Sequence, residues 1–297
     1  MKVQENVLPI DLQDRTVARP DRTIGAILIE EGRLTAREAE KVLAAQEKEH
    51  LRFGEAALRL GLITEDDLRS AVAKQYDLPH LSPSNSSNIS SELIAAYEPF
   101  HPRAEEMRAL RTQLLIRWFN PGGRRRVLAV VSPGAGEGRS YVSANLAVVF
   151  SQIGERTLLI DADLRSPRQH TIFNVSDRIG LSAVLSGRAD RNAIVPVPGF
   201  VGLSILPAGA VPPNPQELLS RMAFDTLLKE MQNRYDVIVV DTPPASAYAD
   251  AQNIVFRAGS AIIIARQNHT RVDDTNRVMR DMADTGARVV GSVINNY

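Results

Sequence analysis

The sequence predicts an α/β fold, a doubly wound and mostly parallel sheet, preceded by a small helical domain. Three observations carry this. Short apolar runs of the length of buried strands recur between residues 127 and 294, separated by segments with helical spacing. The first run ends in a glycine-rich loop. Ahead of the runs lies a stretch that repeats itself at an interval of 29 residues.

Composition sets the bounds. A chain of 297 residues can hold one large α/β domain and a smaller one. Its net charge of +0 gives no basic field, so nucleic acid is not an expected partner. The absence of cysteine excludes a disulfide scaffold, cysteine-ligated zinc and a thiol nucleophile, and fits a reducing compartment. No window approaches the ~18 to 20 apolar residues that span a bilayer, and the polar start MKVQENVLPIDLQDR does not read as a signal peptide. The expectation is a soluble cytoplasmic chain.

Residues 1–20 are polar and aperiodic and read as a tail. Residues 21–80 read as a duplicated helical module. Ile24-Gly25 recurs as Phe53-Gly54, Gly32 as Gly61, Leu34-Thr35 as Ile63-Thr64, and Gln46 as Gln75. Thr35 with Glu38, and Thr64 with Asp67, have the spacing of an N-cap hydroxyl answered by an acidic third residue. Val42, Leu43, Leu68 and Val72 would then supply the apolar face. Residues 81–101 read as a linker, because LPHLSPSNSSNISSE is rich in Ser, Asn and Pro.

Residues 102–297 form the larger domain. It opens with a helix, RAEEMRALRTQLLIRWF, whose Met107, Leu110, Leu114 and Leu115 share one side. Glu105, Arg108 and Arg111 recur at i, i+3 and line another, either as solvated charge or as a subunit contact. The strand Val127–Val131 leads into a loop with Gly134, Gly136 and Gly138, and Arg139-Ser140 open a helix over 141–152. Strand, glycine loop and helix N-terminus make a phosphate cradle, with the Ser140 hydroxyl where a P-loop places its Mg²⁺ ligand. The consensus would have Gly at Pro133 and Lys at Arg139. A second strand, 158–160, ends in Asp161 and Asp163, at the sheet edge where open parallel sheets bind ligands. Such a pair can hold a Mg²⁺ shell or take a proton from an attacking hydroxyl. A third strand, 237–240, ends in Asp241, in the Walker-B arrangement. Strands 261–265 and 289–294, with a helix over 271–284 between them, complete a P-loop NTPase pattern.

Two resemblances follow. Residues 23–46 and 52–75 resemble the paired motifs of type II secretion and pilus ATPase N-terminal domains, some of which bind cyclic di-GMP; Arg22 and Arg52 are the candidate dinucleotide residues. Residues 102–296 resemble the bacterial tyrosine kinase family through EEMRALRTQL, GAGEGRS, LLIDADLRSPRQHTIF, GLSAVLSG, LPAGAVPPNPQELL and YDVIVVDTPP. That resemblance implies a tyrosine autokinase regulating exopolysaccharide chain length. ATP and Mg²⁺ would bind at Gly134, Gly136, Glu137, Gly138, Arg139, Ser140 and Tyr141. Ser140, Asp161 and Asp241 would hold the metal, while Asp161, Asp163 and Arg139 serve catalysis. Glu105, Arg108 and Arg111 would close a homo-oligomeric ring. The implied partner is an integral-membrane chain-length determinant, which would keep the chain peripheral at the inner face of the plasma membrane. The clustered tyrosines of the family's tail are not in this chain, where Tyr297 is the only tyrosine beyond Tyr248. Two other readings stay open: a non-catalytic, nucleotide-dependent assembly switch, and an ATPase without a protein acceptor.

Overall fold

The computed structural model describes residues 23–76, 89–119 and 126–296. The 1–20 tail, Arg22 and Tyr297 lie outside them. The chain divides into two compact units, residues 1–77 and 78–297.

The small unit has four helices, α1 (Ile24–Glu30), α2 (Ala36–Glu49), α3 (Phe53–Arg59) and α4 (Glu65–Gln75). Both expected capping boxes form. The Thr35 hydroxyl accepts from the Glu38 amide at 3.3 Å while Glu38 accepts from the Thr35 amide at 2.8 Å. Thr64 and Asp67 do the same at 3.2 and 3.0 Å. Gly32 and Gly61 turn the chain between paired helices with φ of 69° and 65°, a region that side chains disfavour. The halves pack crosswise, α1 on α4 and α2 on α3. Leu28, Val42, Ala57 and Ala71 lie in the shared core. Gly25 and Gly54 open the space for this: an added Cβ would meet the Phe53 ring at 2.9 Å and Leu68 at 2.5 Å. Leu43, expected in the apolar face, is instead 54% exposed, because the stripe turns on Ala39 and Val42.

The large unit is built on seven strands in the order β3-β4-β2-β5-β1-β6-β7. They are β1 (Val127–Val131), β2 (Thr157–Asp161), β3 (Val195–Pro196), β4 (Leu203–Leu206), β5 (Val237–Asp241), β6 (Ser260–Arg266) and β7 (Arg288–Asn295). Every pairing is parallel except β3 with β4. The central strands are buried on both faces, hence their unbroken apolar runs. Leu128 and Val130 pack into one core, Val127, Ala129 and Val131 into the other. Helix α6 (Pro102–Arg117) and helix α7 (Arg139–Ser151) lie against the first core. Short helices α8 (Gln169–Ile172) and α9 (Leu181–Leu185) follow β2, and α10 (Pro215–Ser220), α11 (Met222–Met231), α12 (Asp250–Ala258) and α13 (Val272–Asp284) complete the layers. The GLSAVLSG string serves packing: a Cβ on Gly180 would fall 2.2 Å from the Pro207 carbonyl oxygen, where α9 meets the end of β4.

One expectation fails here. The 81–101 linker is not open coil from Ile89 onward. Leu93, Ala95 and Ala96 are fully buried in the first core, around the short helix α5 (Ile94–Tyr97). Its apolar content outweighs the Ser/Asn-rich composition of the residues before it. Asn145 of α7 and Gln152, just past its end, bind the backbone of this segment. The Asn145 amide oxygen accepts from the Ala95 N–H at 3.0 Å, its nitrogen donates to the Glu92 carbonyl at 2.9 Å, and Gln152 donates to the Ala95 carbonyl at 2.8 Å.

Candidate active site

The site lies at the carboxyl edge of β1, β2 and β5. After β1, Gly136 and Gly138 adopt φ of 70° and 95°, which lets the loop wrap and present amides ahead of α7. The thirteen-residue α7 adds its dipole to the same point. Buried Glu137 braces the loop: its carboxylate accepts from the Gly134 amide at 2.7 Å and from the Thr270 hydroxyl at 2.5 Å. The Asn295 side chain, at the end of β7, donates to the Glu137 carbonyl at 3.1 Å.

Arg139 is buried within this loop rather than extended across it. Its Nε donates to the Thr242 carbonyl at 2.8 Å, and a terminal nitrogen donates to the Gly134 carbonyl at 2.6 Å and to the Ser132 hydroxyl. Its other terminal nitrogen lies 3.9 Å from Asp163 Oδ2.

Asp161 and Asp241 end β2 and β5 in register with each other, and both are fully buried. Asp161 accepts the backbone amides of Arg168 and Gln169 at 3.1 and 2.9 Å on one oxygen, and that of Asp163 at 3.2 Å on the other. Asp241 accepts from the Gln169 side chain at 2.8 Å and from the Ser140 hydroxyl. Burial, and for Asp161 the nearby Asp241 charge, raise both carboxyls above their ordinary range. A divalent cation would relieve this strain, and the Ser140 hydroxyl with these carboxylates is the hard-oxygen donor set that Mg²⁺ takes. No group of three or more metal-binding side chains gathers among the described residues.

Asp163 lines the cleft above, and Asp161 does not. Its Oδ1 accepts the Arg165 and Ser166 amides at 3.1 and 2.9 Å, which leaves Oδ2 turned toward Arg139. The cleft measures about 790 Å³. Gly136, Glu137, Gly138, Arg139, Ser140 and Tyr141 border it, and burial pushes the Tyr141 phenol up. Gly134 stands behind that rim, held by Glu137.

Several contributors escaped the sequence reading. Gln169 is fully buried and ties Asp241 to the Ser140 carbonyl, at 2.8 and 3.1 Å; its own amide oxygen is buried without a partner. Arg165 binds buried Asp250 through two nitrogens at 2.6 and 3.2 Å and stacks 3.7 Å above the Tyr248 ring. Ile94 and Arg103, from the stretch read as linker and the start of α6, form a further wall. Only their position in the fold shows these roles.

The remaining sequence candidates lie elsewhere. Arg108 pairs with Glu105 at 2.8 Å and also donates to the Pro99 carbonyl, while half-buried Arg111 donates to the Val149 carbonyl on α7 at 2.8 Å. Burial lowers the Arg111 guanidinium from its ordinary value. All three charges thus have partners within the chain, and Glu105 is the most exposed of them. Arg52 is exposed at the start of α3, where its amide donates to Glu55 at 3.0 Å.

A glycine phosphate loop on a helix N-terminus, above two carboxylates in register at the edge of a parallel sheet, defines a P-loop nucleotide-binding protein. Comparison with known proteins narrows the class. Residues 123–297 match the family model described as ParA: NUBPL iron-transfer P-loop NTPase. The chain is 34% identical to the tyrosine-protein kinase YwqD of Bacillus subtilis, over 70% of this chain and 87% of that one. It is 31% identical to a putative tyrosine-protein kinase in the cps region of Klebsiella pneumoniae, over 80% of this chain but only 34% of that protein. The solved kinase domain of the Escherichia coli tyrosine kinase ETK superposes with a TM-score of 0.68 at 30% identity, covering 71% of this chain and 82% of that one. The chain belongs to the bacterial tyrosine kinase family, within the ParA-type P-loop NTPases.

Proposed function

We propose that this chain is an ATP- and Mg²⁺-dependent tyrosine autokinase that regulates capsule or exopolysaccharide chain length and export. It would work beside a membrane-embedded chain-length determinant. No helix among the described residues is long and apolar enough to cross a membrane, which is in keeping with a separate membrane partner. The observation that carries the reading is the convergence of Ser140, Asp161 and Asp241 beneath the phosphate loop, with Asp163 on the cleft above them. Loop amides and the α7 dipole would hold the β- and γ-phosphates. Ser140, Asp241 and Asp161 would hold Mg²⁺, which supplies charge neutralisation on the phosphates. Asp163 is better placed than Asp161 to take the proton of the acceptor hydroxyl, because Asp163 lines the cleft and Asp161 is buried beneath it. A homo-oligomeric ring would use the face of α6 that carries Glu105, Arg108 and Arg111, on which Glu105 is the most exposed.

One observation favours a second reading. Arg139 already spends its guanidinium on Thr242, Gly134 and Ser132, so it serves loop architecture as fully as it could serve the γ-phosphoryl group. An assembly switch that binds ATP without transferring it would use the residue in this way. The two are separated by incubating the full chain with γ-labelled ATP-Mg²⁺, with and without the partner's cytoplasmic peptide. The kinase reading expects label on tyrosine, reduced at least ~100-fold in Asp163→Asn, which retains the Oδ1 acceptor but not the base. Tight nucleotide binding with neither label nor released phosphate would leave the switch.

A further inference from the structure

A tyrosine autokinase needs an acceptor, and the chain has six tyrosines, of which five lie among the described residues. Tyr97 donates its hydroxyl to the Ile89 carbonyl at 2.9 Å. The Tyr141 hydroxyl is buried, and Tyr235 is packed against the second core. Two phenols are open to solvent: Tyr76, 71% exposed at the end of α4 in the small unit, and Tyr248, 44% exposed. Of these, Tyr248 alone lines the cleft that contains the phosphate loop.

We propose that Tyr248 is a phosphate acceptor of this chain and is modified within its own cleft. The inference rests on the kinase reading above and adds the substrate group. Its surroundings suit both the reaction and its product. Arg165 lies over the ring at 3.7 Å and is held there by Asp250, so a positive charge stands against the ring as negative charge develops on the phenol. Arg103 and Arg168 also line the cleft, and arginines are apt partners for an aryl phosphate dianion. Asp163 Oδ2 is the cleft carboxylate available for the proton. The Tyr248 oxygen would form a bond to the γ-phosphorus of ATP as the bond from that phosphorus to the β,γ-bridging oxygen breaks. The electron pair leaves on ADP, and the phenolic proton passes to Asp163. No other reactant is required.

The test labels the full chain with γ-labelled ATP-Mg²⁺ and maps phosphotyrosine by mass spectrometry in wild type, Tyr248→Phe and Tyr76→Phe. Phenylalanine keeps the ring beneath Arg165, and an unchanged melting temperature would confirm that Tyr248→Phe folds. The expected result is label on the peptide containing Tyr248, lost in Tyr248→Phe and kept in Tyr76→Phe, with a rate per molecule unchanged on dilution. Label confined to Tyr76 or Tyr297 and undiminished in Tyr248→Phe would overturn the assignment while leaving the kinase reading in place. A rate per molecule that falls on dilution would overturn transfer within one cleft. The absence of tyrosine label from every protein, with nucleotide still bound, would overturn the kinase reading and the acceptor with it.

Discussion

Asn145→Ala tests whether the segment before α6 is a working wall of the nucleotide cleft. The Asn145 side chain holds that segment at two backbone groups, the Ala95 N–H and the Glu92 carbonyl, and is itself fully buried. Its third bond, to the Tyr141 carbonyl at 3.0 Å, lies within α7 and leaves no orphan, because that carbonyl sits in the helix ladder. Alanine therefore strands two polar groups at a cost of about 1–3 kcal/mol each, reduced by whatever water reaches them. A net loss of about 2–4 kcal/mol is expected, or roughly 4–16 °C in melting temperature for a domain of this size. The segment can also lift without global unfolding, which removes Ser91, Glu92 and Ile94 from the cleft wall. Urea denaturation would read the first effect. Protease cleavage between residues 89 and 101, with titration of a fluorescent ATP analogue, would read the second. Gln152→Ala, which removes a bond to the Ala95 carbonyl, should produce a milder form of both, about 0.5–1.5 kcal/mol. If Asn145→Ala costs under about 0.5 kcal/mol and leaves cleavage and nucleotide affinity unchanged, the segment is not held as argued.

Two further outcomes are expected. Asp161 and Asp241 have folded-state pKa values raised by burial, so their neutral forms favour folding. That contribution is complete below the unfolded carboxyl value, about 4, and is lost as pH rises through the higher folded values. Metal-free Asp241→Asn should accordingly be more stable than wild type at pH 7, on the order of 1 kcal/mol, and gain little near pH 4; calorimetry across that range checks the sign. Glu137→Ala strands the Gly134 amide and the Thr270 hydroxyl at the base of the phosphate loop. It should weaken ATP binding about 5- to 150-fold, for a loss of about 1–3 kcal/mol, and titration calorimetry would measure it.

How much of this was legible in the sequence follows from what a linear pattern can record. The phosphate loop, Ser140 and the three carboxylates were visible because each stands at a strand end, where an apolar run stops and the chemistry begins. The capping boxes were visible because both partners lie within four residues. β4 was not, since LSIL is a four-residue run between glycine turns, and its role as a neighbour of β2 is set by pairing over a long loop. Leu43 was misread because one apolar residue beside Val42 satisfies a helical period as well as its neighbour does. Asn145 and Gln169 were missed for the opposite reason: a polar side chain in a helical segment reads as solvent-facing until another element covers it. Yet once covered, such a residue must find partners, and here the partners are the cleft wall for one and the Asp241 carboxylate for the other. The residues that join the site to the rest of the molecule are thus the polar ones that periodicity assigns to the surface. Asp250 follows the same rule: it opens α12 like an ordinary first-turn acid, but its burial makes it the anchor that sets Arg165 over Tyr248.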